Sequence, residues 1–312
     1  MKVDELSHFF EKDYMRREDR RVLLKKEPGL FEVVGMEVET QFVDGSGNPI
    51  NLDTSQAIFW SMVRDEGWSI ETAKANLITG LKNKNGFRLF YELGRHNIEI
   101  SSPPMNPRGL VSSVREELDV FYYVASKCGG YPFFSPVLDT NVDLLVIPDE
   151  RDAAWLEIDG RSALNLLTRC SSVQFTIDVP RDMAISCLNR LGRRIDEFLA
   201  VFPQDRLWKQ YISESKAGYR VDRYGGPLKF IDIEDYCDEL ARHDVVQNGS
   251  LVPFSRAQNV DIPLFLRSVW WHFRLKRFTS NSFNLCIEVR PLPRLSDDKF
   301  QDQLDFVMGV LK

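Results

Sequence analysis

The stretch GMEVETQFVD, residues 35–44, sets Glu37 and Glu39 two positions apart in a run that otherwise has the character of a β-strand. A strand turns residues i and i+2 to the same side, so the two carboxylates share one face and Met36, Val38, Thr40 and Phe42 share the other. The pattern recurs. In NIEIS (97–101) Ile98 and Ile100 oppose Glu99, and in CIEVR (286–290) Ile287 and Val289 oppose Glu288 and Arg290. In SSVQFTID (171–178) Val173, Phe175 and Ile177 oppose Gln174. Glu92 precedes Glu99 by seven residues, across a short GRH turn.

One-sided strands of this kind can be the wet face of an antiparallel sheet. Lysine and threonine would serve a wet face equally well, yet these strands read as lacking lysine. If the strands share a sheet face, the carboxylates crowd. Two of them ~5 Å apart at an effective dielectric of ~20 repel by roughly 3 kcal/mol. Such a cluster requires a proton, an arginine or a metal ion. Glutamate oxygens and the Gln174 amide oxygen, with no grouped His or Cys, make a hard-oxygen site that favours Mg²⁺ or Mn²⁺ over zinc. Mg²⁺ held by few carboxylates completes its shell with water and substrate phosphate, so nucleotide chemistry with ATP is the leading class.

The sequence has no GxxxxGK[ST] and no GxGxxG after a strand, so the sheet and its metal ions would have to hold the nucleotide. Candidate cations are Arg290, and Arg220 and Arg223 in AGYRVDRYGG (217–226). Arg290 shares the face of Glu288 and can reach a phosphoryl oxygen bidentately, or serve as a plain ion pair there. The histidines at 8, 96, 243 and 272 show no ligand spacing, and Trp270–Trp271 reads as core.

These residues need elements to position them. A helix is expected over 4–26, with Leu6, Phe9, Phe10 and Tyr14 as its apolar stripe and Pro28 beyond its end. A strand over 31–43 follows, then a helix over 55–67 started by Thr54 or Ser55. GFRLFYEL (86–93) and NIEIS form an antiparallel hairpin. Helices follow over 108–128 and 181–200, with a strand over 171–179 between them. The polar, cation-rich stretch 204–229 reads as a loop over a site. Short and long helices are expected over 234–242 and 263–278, the last strand over 284–292, and a closing helix capped by Ser296. Strands and helices do not alternate in βαβ fashion, which predicts an antiparallel α+β domain with helices on one face. No linker divides the chain, so 1–312 reads as a single domain, with 1–28 as an N-terminal helical extension.

With 40 Lys and Arg against 46 Asp and Glu, the chain is net acidic by 6 charges, which argues against nucleic acid as a partner. Basic runs such as RREDRR (16–21) are interrupted by acids and read as a solvated helix face. No apolar stretch is long enough to span a bilayer, and the charged N-terminus carries no signal region. The five cysteines are odd in number and lack a CxxC pair, which suits reduced thiols in a cytoplasmic protein.

The ordered set GMEVE (35–39), YELGRHNIEISSPP (91–104), SSVQFTID (171–178), IEDYCDELARHDVV (233–246) and IEVRPL (287–292) resembles the glutamate–cysteine ligase family of glutamine-synthetase-like carboxylate–amine ligases. The resemblance runs over about residues 31–295. It implies an antiparallel sheet bent into a half-barrel with helices on its outer face. It implies Glu37, Glu39, Glu92, Glu99, Gln174 and Glu288 as metal ligands, with Arg290 and Glu288 in catalysis and Arg290, Arg220 and Arg223 toward ATP and substrate. The implied reaction joins the side-chain carboxylate of L-glutamate to an amine such as L-cysteine through an acyl phosphate, with ATP and Mg²⁺, as in glutathione biosynthesis. Another amine acceptor, or a lapsed ligase fold serving as a ligand-binding subunit, stays open beside it.

Overall fold

A computed structural model describes residues 3–11, 31–146, 150–277 and 285–312. Its centre is a nine-stranded sheet. The strands are β1 (Val34–Val43), β2 (Ser69–Lys74), β3 (Leu77–Lys82), β4 (Arg88–Tyr91), β5 (Asn97–Ser101), β6 (Tyr131–Phe133), β7 (Ser172–Val179), β12 (Phe273–Lys276) and β13 (Leu285–Pro293). Two small pairs lie outside it: β8 (Tyr224–Gly225) with β11 (Trp270–Trp271), and β9 (Val245–Gln247) with β10 (Ser250–Val252). The sheet is open, in the order β12-β13-β7-β1-β5-β4-β3-β2, and β6 also pairs with β1. Every pairing within it is antiparallel. The expected α+β class and antiparallel sheet are what the chain adopts.

Alternation does the sorting. Val34, Met36, Val38 and Phe42 of β1, Ile98 and Ile100 of β5, and Val173, Phe175 and Ile177 of β7 all join one apolar core. Helices Leu52–Glu66, Pro107–Lys127, Ala184–Arg193 and Phe300–Leu311 supply the facing side chains of that core. Phe121 meets Phe42 edge-on at 5.2 Å between centroids. Truncating so buried a phenylalanine costs about 3–5 kcal/mol. The other face of the sheet keeps its polar side chains.

The boundaries differ from expectation where a local signal was misread. Helix Leu52–Glu66 starts earlier than Thr54, because Asn51 caps it by accepting from the Thr54 N–H at 2.8 Å. The β2–β3 hairpin has no counterpart in the sequence reading. It turns through Ala75 and Asn76, both at positive φ, in place of the Asn-Gly pair that would advertise such a turn. Helices Glu150–Asp159 and Arg161–Leu167 are also additional. Residues 181–200 are not one helix but a 3₁₀ turn and two helices that part at Arg194. The closing helix Phe300–Leu311 is entered through a 3₁₀ turn, and Ser296 makes no side-chain cap to it.

Two corrections bear on the site. Residues 204–229 are not a loop: they contain helix Gln204–Glu214, a 3₁₀ turn at Val221–Arg223 and β8. Residues 263–278 are not one helix, since helix Ile262–Arg267 ends early and β11 and β12 follow. Phe273 and Leu275 pair with Val289 and Ile287 of β13, and that burial outweighs the helical propensity of the flanking residues. The expected helix over 4–26 is present at Val3–Glu11; Tyr14, Pro28 and the RREDRR run fall outside the described residues. Among the described residues no helix is long and apolar enough to cross a membrane.

Candidate active site

The polar sheet face is laid out in rungs by strand register. One rung runs Arg274, Glu288, Thr176 and Gly35 across β12, β13, β7 and β1. The next runs Gln174, Glu37, Ser101, Arg88 and Lys82 across β7, β1, β5, β4 and β3. A third sets Glu39, Glu99 and Phe90 side by side on β1, β5 and β4. This face floors an open cavity of about 1100 Å³.

The acids gather in one part of it. Glu39, Glu92 and Glu99 each offer a carboxylate oxygen, all within 4.8 Å of one another. Glu92 lies just past β4, held by its backbone N–H to the Asn97 carbonyl at 3.1 Å. Burial, then the Glu99 charge, pushes Glu39 up to about 8. Burial, then Glu39, raises Glu92 to about 7, and burial followed by Glu37 and Glu92 raises Glu99. Glu39 still accepts from the Ser172 N–H and from Gln174 Nε2, each at 2.8 Å, while the Ser101 hydroxyl donates to Glu99. Those donors fix the carboxylates without neutralising them.

The cations gather in another part. Glu288, 2 % exposed, is gripped by Arg274 at 2.5 Å, Lys276 at 2.8 Å and Arg290 at 3.2 Å. Burial alone would raise its carboxyl, but Arg274, Lys276 and Arg290 together hold it well below the usual range. Glu37 lies 3.4 Å from Lys276. Arg290 sits where the β13 register shifts between Val289 and Leu292, its N–H bonded to the His272 carbonyl at 3.0 Å. A shift of that kind re-aims a side chain, and here Arg290 is left acting on Glu39 and Glu92 as well as Glu288.

Of the residues expected at the site, the structure brings Glu39, Glu92 and Glu99 together, with Gln174 and Arg290 beside them. Glu37 and Glu288 share the face but are turned into the cation cluster. Gln174 meets Glu39 through its amide nitrogen, and its buried Oε1 has no hydrogen-bond partner among the described residues. Neither Arg220 nor Arg223 lines the cavity, and the Arg223 guanidinium lies 5.5 Å from the ring centre of Trp270, which does. Arg220 pairs with Asp222 at 2.7 Å on the surface, and Arg223, 1 % exposed, donates to the Ser268 and Asp244 carbonyls. The sequence reading missed Arg274 and Lys276, and with them a lysine on the polar face. The alternation His272, Arg274, Lys276 against Phe273 and Leu275 was the signal.

An all-oxygen donor set with raised carboxyls and an unpartnered Gln174 Oε1 fits a hard dication, Mg²⁺ or Mn²⁺, with Glu39, Glu92 and Glu99 to hold it.

No family model matches the sequence, and no curated protein matches it significantly. Solved structures do. A bifunctional glutathione synthetase from Pasteurella multocida superposes with a TM-score of 0.51 at 12% identity, over 98% of this chain and 41% of that one. The glutamate–cysteine ligase of Francisella tularensis, in complex with AMP, gives a TM-score of 0.51 at 11% identity, over 90% of this chain and 66% of that one. The chain has the fold of these ligases. It spans less than two thirds of the length of either.

Proposed function

We propose that the protein is an ATP-dependent carboxylate–amine ligase that activates the side-chain carboxylate of L-glutamate and joins it to an amine. One observation carries this reading: a dication-fitting acid triad and a cation cluster share one face, linked by Arg290. Carboxylate activation by ATP needs both halves. A donor carboxylate oxygen bonds to the γ-phosphorus as the bond to ADP breaks; the amine nitrogen then bonds to the acyl carbon as phosphate leaves and the amine loses a proton.

Mg²⁺, when bound, supplies charge neutralisation on the phosphoryl oxygens. The residues of the chain do the rest. Arg290 and Lys276 present cationic hydrogen-bond donors to an anionic group entering above Glu288, while Arg274, committed to Glu288 and to the Leu266 and Val269 carbonyls, adds its charge from beneath. Their cost of burial is already met by Glu288, so the cluster is preorganised before substrate arrives, which is how most electrostatic catalysis acts. Phosphoryl transfer depends largely on such positioning. The acceptor implied by the sequence resemblance is L-cysteine.

The test is ADP release with Mg²⁺, ATP and L-glutamate, with and without a panel of amines that includes L-cysteine. Amine-dependent release with a mass-matched amide product supports the reading. ATP binding without release for any pair returns the protein to the ligand-binding alternative.

A further inference from the structure

The cavity has a second wall that the ligase chemistry leaves unused. It is made of rings: Trp155 of helix Glu150–Asp159, Trp208 and Tyr211 of helix Gln204–Glu214, Tyr224 of β8 and Trp270 of β11 all line the same space as the acids and cations. Trp270 was expected in the core. Only its neighbour Trp271 is fully buried, whereas Trp270 is half-buried and stands at the centre of the wall. Trp155, Trp208 and Tyr211 meet it at 6.1, 5.8 and 5.3 Å between centroids.

This wall joins the reactive face at two points. The His272 ring lies 4.8 Å from that of Tyr224, and the His272 carbonyl accepts from Arg290 N–H. Cys170 lines the cavity two residues before Ser172, whose N–H binds Glu39. The rings therefore border the same cavity as the acid triad.

The chemistry of the wall narrows what that molecule is. Its phenols are committed elsewhere, Tyr224 donating to Asp205 and Tyr211 to Asp159, each at 3.1 Å. With both hydroxyls spent, the wall offers ring surface and the indole N–H groups of Trp155, Trp208 and Trp270. Trp155 and Trp208 are inclined to Trp270 by 57° and 43° and already in contact with it, so a ligand would pack on the outer surfaces and edges of these rings and not in a slot between them. The Arg223 guanidinium sits 5.5 Å from the Trp270 ring centre, so a second cation would meet a like charge there. An apolar group of some size suits this surface; a short thiol side chain would leave most of it uncovered.

We infer that the amine acceptor carries an aromatic or bulky apolar side chain, which packs on Trp155, Trp208 and Trp270 while its nitrogen is presented toward Glu39 and Arg290. This rests on the ligase reading for turnover, but the binding surface can be tested without it.

Two measurements separate the possibilities. In the first, 2-phenylethylamine and tryptamine are titrated calorimetrically into protein loaded with Mg²⁺ and a non-hydrolysable ATP analogue, against L-cysteine and methylamine. The ring-bearing amines should bind more tightly, with Trp155→Ala and Trp208→Leu each weakening them by roughly tenfold. In the second, ADP release is followed with L-glutamate and the same amines. The ring-bearing amines should support turnover, and the variants should raise KM for the amine with KM for ATP unchanged. Binding that is lost in the variants, without turnover from any amine, keeps the wall as an amine site and overturns the ligase reading. Preference for L-cysteine or methylamine overturns the acceptor assignment and leaves the ligase standing. A rise in KM for ATP alone gives the wall to the nucleobase instead, and absence of any ring-amine binding overturns the proposal outright.

Discussion

Glu39 of β1 and Glu99 of β5 are register partners across an antiparallel pair, both half-buried and both on the polar face. Like charges placed directly opposite destabilise a sheet, so this pairing is maintained against its own electrostatics. A bound dication would turn the repulsion into an asset.

Replacing one partner should therefore stabilise the metal-free protein. Glu99→Gln is expected to raise stability by about 1–3 kcal/mol at pH 9 in chelator, above the raised Glu39 and Glu92 carboxyls, since it removes a repulsion of that order. Mg²⁺ should stabilise the wild-type protein, by about 2.7 kcal/mol at a hundredfold excess over Kd, and should scarcely affect the variant. Thermal unfolding with and without Mg²⁺ checks both. An undiminished Mg²⁺ response in Glu99→Gln would remove the triad as the metal site.

The pH dependence of stability has two limbs of opposite sign. Glu39 and Glu92 titrate at about 8 and about 7 in the fold against 4.5 unfolded, so the fold holds their protons longer and stability falls as pH rises from 4.5 to 8. Buried His96 and His272 are lowered from 6.5 to about 3 and about 4, so the unfolded chain takes up protons first and stability falls as pH drops below 6.5. The two effects oppose one another between 4.5 and 6.5. Below that window the histidines act with Glu288, whose depressed carboxyl loses its stabilising charge only in acid. Each fully engaged group contributes about 1.4 kcal/mol per pH unit. Denaturant melts of metal-free protein should thus show a plateau near pH 5–6 with losses on both sides, and saturating Mg²⁺ should flatten the alkaline limb alone. A metal-free profile that rises through pH 8 would contradict the raised carboxyls.

Glu288→Gln should behave unlike Glu99→Gln. It strands Arg274 and Lys276 and leaves Arg290 short of its counter-ion, and breaking a buried pair from one side costs about 3–5 kcal/mol. Chemical denaturation should show that loss while the Mg²⁺-dependent gain persists. Loss of the Mg²⁺ response with stability intact would instead restore Glu288 as a metal ligand.

Lys276→Ala isolates the anion-binding function. The lysine side chain is 34% exposed, and Arg274 and Arg290 still neutralise Glu288, so the fold should lose no more than about 1 kcal/mol. Removing one preorganised donor to a developing charge typically lowers kcat by about 10²–10³. Steady-state kinetics on the amine-dependent reaction, beside thermal melts, separates the two. Full kcat in the variant would place the phosphoryl group elsewhere.

Much of this site was legible because a strand's period of two needs no tertiary knowledge. GMEVE, NIEIS and SSVQF each announced which side chains would face together, and Glu39, Glu99 and Gln174 do share a face. Glu92 was found by its nearness to that hairpin. Arg274 and Lys276 were not found, because HFRLK is too short to outvote the helix-like run PLFLRSV before it. The ring wall escaped for a different reason. Its members come from positions 155, 208, 211, 224 and 270, on four separate elements with no common period.

The sequence by itself determined the face on which each carboxylate stands, since alternation along a strand follows from backbone geometry alone. Which carboxylates meet a cation and which meet one another depended on strand order. Glu39 lies on β1 beside β5 and so faces Glu99, whereas Glu288 lies on β13 beside β12 and so faces Arg274. Only packing the strands in that order, with the apolar face of each buried under the helices, divides one polar surface into a place for a cation and a place for an anion.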